Sequence, residues 1–165
     1  MSTTVAEIAQ RVRTGGAPSD RLLGDVACLI ERFTEGRYED PIYGPLGFPA
    51  EWLPLRLTAQ DLDELVEALI AVMVSSPDAA ARAAWALGKA RHERAVDHLI
   101  ATLGECWRSE GALTFQILWA LGTYGEDRAW PLIERIAVEG AGEPREEARR
   151  MLRARALLAG GDGPP

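Results

Sequence analysis

Apolar residues recur at spacings of three and four along most of this chain, the spacing that gathers them on one face of an α-helix. Leu22, Val26, Leu29, Ile30 and Phe33 mark such a face on a helix predicted from 21 to about 35. Pro18-Ser19-Asp20 offers its cap and Gly36 its stop. A shorter helix is predicted over 3–13, ending at Gly15-Gly16. Leu62, Leu65, Val66, Leu69, Ile70 and Met73 stripe a helix from 58 to about 74. Thr58 and Asp61 open that helix as a capping box, with the acid at the positive end of the helix dipole. Further helices are predicted at about 78–90, 93–104, 110–124, 127–139 and 144–159.

The pattern breaks between residues 36 and 57. Pro41, Pro45, Pro49 and Pro54, with Gly36, Gly44 and Gly47, forbid a long helix there. The same stretch holds Tyr38, Tyr43, Phe48 and Trp52. A loop of that length inside a compact domain is either a packed cover or a functional segment. Phe48, Trp52, Leu53 and Leu55 could seal the end of a helical stack, whereas Tyr43, Phe48 and Trp52 could equally meet a partner. The tail from Gly160 to Pro165 is expected to be disordered.

Trp-Ala-Leu-Gly stands at residues 85–88 and returns at 119–122, 34 positions later, and Arg94-Ala95 returns as Arg128-Ala129. A period of that length means a helix-turn-helix unit stacked on its own copy. The run from Asp78 through Arg82, Ala83-Ala84 and Ala86-Leu87-Gly88 resembles the first helix of a HEAT-like repeat, of the type also found in phycobilin lyases. Arg94 to Leu103 resembles the second helix of such a unit. The next unit departs from the pattern, with Gln116 in the place of Arg82 and Ala112 in that of Asp78; a third copy keeps Arg149 but not the Ala-Leu-Gly.

This resemblance implies an all-α fold, a short α-solenoid (superhelix) of stacked antiparallel helix pairs. It implies one domain over 1–159, with repeats over 77–159 and a diverged first unit split by the 36–57 insertion. It also implies that Arg82 bonds to an acid or helix end in the neighbouring unit, that Asp78 caps its helix, and that second helices line a concave docking face.

The residues agree with stacking. Ala80, Ala83, Ala84 and Leu87 make helix 78–90 apolar over more than half its circumference, so it needs several neighbours. Gly88 and Gly122 fall in last turns, where a missing side chain lets a neighbour approach. Trp85 and Trp119 either fill the seam between units, the preferred reading, or form an open aromatic ladder. The last helix, with Glu143, Glu146 and Glu147 early and Arg149, Arg150, Arg153 and Arg155 late, suits a polar end cap.

Net charge changes the picture of partners. The formal charge is −7. Residues 1–76 hold twelve acids and six bases (−6), and residues 77–165 thirteen acids and twelve bases (−1). Such a chain repels phosphate backbones, so nucleic acid is not an expected partner; the acidity either favours a basic protein partner or only keeps the chain soluble. Cys28 and Cys106 are unaccompanied and read as small buried apolar groups. His92 and His98, six residues apart, share no helix face and no metal-ligand spacing, and Asp97-His98 alone is a weak catalytic signal. Neither a basic-then-apolar leader nor a bilayer-length apolar run is present in these residues, so no membrane association and a cytoplasmic location are expected.

The reading is therefore a non-catalytic scaffold for protein–protein interaction, without cofactor or metal, as a monomer or weak homodimer. Its partner-binding residues are expected to be Arg94, Asp97, His98, Ala101, Glu134 and Arg135 on second helices, with Tyr43, Phe48 and Trp52 from the loop. Two alternatives compete. One is an immunity- or antitoxin-type inhibitor neutralising a basic toxin by charge complementarity. The other, implied by the resemblance alone, is a bilin-lyase-like enzyme.

Overall fold

The computed structural model describes residues 3–14, 18–38 and 48–160. Within them lie α1 (Val5–Thr14), α2 (Asp20–Thr34), α3 (Ala59–Ser75), α4 (Pro77–Ala90), α5 (Glu93–Cys106), α6 (Gly111–Tyr124), α7 (Trp130–Glu139) and α8 (Gly142–Ala159). Single 3-10 turns cover Ala50–Trp52 and Asp127–Ala129, and no strand occurs among the described residues.

The helix ends follow from local chemistry. Ser19 Oγ accepts from the Leu22 amide at 3.1 Å, opening α2. Thr58 and Asp61 form the predicted capping box: the Thr58 amide donates to Asp61 Oδ2 at 2.8 Å, and the Asp61 amide to Thr58 Oγ1 at 3.2 Å. Asp78 corrects an expectation. Pro77 takes the first helical position of α4, where its missing N–H and fixed φ cost nothing, so the cap falls on Ser76 and Asp78 lies inside the first turn. Gly36 and Gly125 hold φ of 65° just past α2 and at the end of α6; Arg91 holds φ of 47° at the end of α4, 34 positions before Gly125. The predicted helix 127–139 splits into the 3-10 turn and α7, with Pro131 inside the first turn of α7.

The helices form two layers. In one, α2 packs on α4, α4 on α6 and α6 on α8; in the other, α1 packs on α3 and α3 on α5. The layers lock where each second helix meets the first helix of the next unit: α3 on α4, α5 on α6, α7 on α8. This is an all-α solenoid, and α2 joins its layer just as α4 and α6 do. A continuous buried core runs from Val5 to Met151.

The two glycines of the repeated tetrapeptide explain the close stacking. A β-carbon on Gly88 would stand 2.7 Å from Trp119 Cζ3 and 3.1 Å from the Ala120 backbone; on Gly122 it would stand 3.3 Å from Met151 Cε. Trp85 and Trp119 are half-buried and packed against the core, as seam residues. The Lys89 ammonium lies between their rings, 5.7 and 5.5 Å from the centroids, and pairs with Glu31 of α2 at 2.6 Å. Arg82, expected to bond to an acid or helix end, instead lies 5.1 Å over the Trp85 ring.

Tyr124 ties successive units. Its hydroxyl donates to the Leu87 carbonyl at 2.7 Å and accepts from the His92 amide at 2.8 Å, so the end of α6 holds the end of α4. Burial pushes the Tyr124 phenol up to about 12. His92 caps α5, its Nδ1 accepting from the Arg94 amide at 3.3 Å; its Nε2 meets Asp63 Oδ1 at 2.7 Å.

Part of the inserted stretch is pinned by one buried cation. Arg32, 1% exposed, donates to the carbonyls of Tyr38 at 3.2 Å, Trp52 at 3.4 Å and Leu53 at 3.0 Å. Phe48 and Trp52 pack edge to face with centroids 5.9 Å apart, and the Arg32 guanidinium lies 5.2 Å from the Phe48 ring.

Candidate docking face

The residues expected to meet a partner separate into three groups. Tyr43 lies outside the described residues. Phe48 and Trp52 are only 6% and 1% exposed. Their rings pack against each other, and the Arg32 guanidinium lies over that of Phe48. The other six residues, Arg94, Asp97, His98, Ala101, Glu134 and Arg135, are all exposed on α5 and α7.

Ion pairs knit these exposed positions across units. Arg94 of α5 reaches Glu67 of α3 at 3.2 Å, and Arg128 reaches back to Asp97 of α5 at 2.7 Å. Arg128 also pairs with Glu126 at 2.8 Å, and those hydrogen bonds hold the Glu126 carboxyl below its ordinary range. Arg108 at the end of α5 meets Glu139 of α7 at 3.4 Å, and Glu134 meets Arg155 of α8 at 3.8 Å. Each pair is exposed and contributes little stability. They link α3 to α5, α5 to the turn before α7, α5 to α7, and α7 to α8.

Beside this face lies a cleft of about 360 Å³, between the α3–α4 corner and the α5–α6 corner. Met73, Val74, Pro77, Ala80 and Leu113 supply apolar walls. His98, Ala101, Thr102 and Glu105 of α5 and Glu110 at the start of α6 complete the lining. Cys106 also lines it, 3.5 Å from Thr114 Oγ1, and burial pushes its thiol up, which makes it a poor nucleophile. Burial likewise raises the half-buried Cys28. Two expected residues, His98 and Ala101, thus meet in one concavity. Glu105 and Val74 were not singled out from the sequence, although the 34-residue period carried the signal.

A second groove, about 480 Å³, runs between α6 and α8, with Trp119, Trp130, Met151 and Leu158 among its walls. The outer face of α8 is less polar than the sequence suggests: Leu157 and Leu158 are 78% and 86% exposed. No cluster of His, Cys, Asp and Glu that could hold a metal occurs among the described residues, nor does a helix long and apolar enough to cross a membrane.

Comparison with known proteins gives one match. The family model for HEAT repeats matches residues 62–153, more than half of the chain. No curated protein and no solved structure matches it.

Proposed function

The chain belongs to the HEAT-repeat family, and we propose that it is a non-catalytic scaffold that holds a basic protein partner on the face formed by α5 and α7. The carrying observation is that Arg94, Asp97, His98, Ala101, Glu134 and Arg135 are exposed together on these second helices, beside a concave cleft. Rigid stacked helices keep such a face in fixed geometry, so little ordering entropy is lost on binding. The chain's net charge of −7 favours a basic partner and speeds its approach.

The test is capture of the partner by the full chain and by the double variant Asp97→Lys, Ala101→Arg. Both positions are exposed, so the fold should persist, as helical circular dichroism would show. Wild-type capture of a basic protein that weakens at high salt, and at least tenfold weaker capture by the variant, is the expected result. Undiminished capture by a folded variant would reject this face.

A further inference from the structure

The 34-residue period places three positions where α3 meets α5 on three positions between α5 and α7: Val74 on Arg108, Ala101 on Arg135, and Glu105 on Glu139. In the later unit Glu139 takes both cations. Arg108 meets it at 3.4 Å and Arg135 at 3.2 Å, with the Arg108 guanidinium 3.9 Å from the centroid of the Trp107 ring. Between α3 and α5 both arginines are replaced by exposed apolar residues, and Val74 is 65% exposed. Val74, Ala101 and Glu105 line the same cleft. Among the described residues neither Glu105 nor Glu110, also in its lining, has a salt-bridge partner. The cleft therefore keeps the carboxylate of a repeated ion pair and lacks the cation that the next unit supplies from within.

We propose that this cleft receives an arginine side chain of the bound protein, in the place that Arg108 occupies one unit later. The proposal rests on the protein-binding reading above and specifies the chemistry of its partner. An arginine fits for two reasons. Its planar guanidinium offers donors to carboxylates on more than one side, here Glu105 and Glu110. Its methylene stem can cover Val74, which is 65% exposed beside the buried Met73. A cleft of about 360 Å³ is at the small end of ligand sites and suits one long side chain.

The test uses the isotope-labelled full chain and two blocked tripeptides, Leu-Arg-Ala and its citrulline counterpart, which keeps the shape and removes the charge. In nuclear magnetic resonance titrations the arginine peptide should shift the amides of Val74, Glu105, Cys106 and Glu110, and bind about fivefold or more tighter than the citrulline peptide. Glu105→Gln should abolish that preference. Val74→Arg, which supplies the cation internally, should also abolish it and leave the fold intact. Equal binding of the two peptides, a preference that survives Glu105→Gln, or shifts centred on Asp63 and Glu67 instead would overturn the proposal, even if capture of a protein partner persists. An intact peptide preference without any captured partner would support the cleft and remove the scaffold reading instead.

Discussion

The Trp119 ring lies on Gly88, so close that a β-carbon there would stand 2.7 Å from ring atom Cζ3. Ala120 backs the same point at 3.1 Å, and its backbone cannot retreat without moving α6. Gly88→Ala gains about 0.5–1 kcal/mol of helix propensity. The overpacking it creates costs about 1–3 kcal/mol. The variant should therefore be less stable by about 1 kcal/mol, with a urea midpoint below that of the wild type.

Tyr124→Phe should cost about 1–3 kcal/mol, because the Leu87 carbonyl and the His92 amide lose their shared hydroxyl inside the seam. The phenol adds a pH signature. Its folded value is raised from 10.0 to about 12, so its contribution is fully present below pH 10 and is lost as pH rises through about 12. The loss is on the order of 2 kcal/mol. The gap in urea stability between wild type and Tyr124→Phe should shrink between neutral pH and pH 12, and an unchanged gap would contradict this account.

Arg91→Gly should stabilise the chain. Arg91 holds φ of 47° at the end of α4, a left-handed conformation that costs a side-chain-bearing residue about 1–2 kcal/mol. Gly125, its counterpart one unit later, holds 65° without that cost. Glycine's greater freedom in the unfolded chain offsets about half, leaving a gain of about 0.5–1 kcal/mol. A rise in thermal midpoint of about 1–4 °C is the expected reading for a chain of this size.

Arg32→Met keeps the volume of a long side chain and removes donors from the carbonyls of Tyr38, Trp52 and Leu53. The expected cost is about 2–4 kcal/mol, the range for breaking a buried polar network. It should also free the 48–57 stretch locally, so trypsin should cut after Arg56 faster than in the wild type.

Much of the stack was legible in the sequence. Trp-Ala-Leu-Gly at two places 34 apart announced two first helices in equivalent positions, and Gly88 and Gly122 do admit their neighbours. The capping box at Thr58 was equally readable, because its partners lie three residues apart. Asp78 was misread because Pro77 and an N-cap acid compete for the same turn, and the proline's fixed φ settles it. For the candidate site, Arg94, Asp97, His98, Ala101, Glu134 and Arg135 were chosen for their place on second helices, which the HEAT-like resemblance implies line a docking face, and all six are exposed. The inward turn of Phe48 and Trp52 did not, since a proline-rich loop has no period that assigns its faces.

By itself the sequence determined what depends on near neighbours: helix faces from spacings of three and four, helix ends from caps and turns, and the stacking unit from its 34-residue return. Only the tertiary structure decided what depends on residues far along the chain. Arg94 with Glu67, Arg128 with Asp97, and Arg108 with Glu139 lie 27 to 31 residues apart and meet only because the helices stack. The same stacking leaves Glu105 beside Val74 rather than beside an arginine, and buries Arg32 beneath the loop it holds. Local conformation is set by torsions and adjacent hydrogen bonds, whereas the pairing of charges is set by which helix lies next to which.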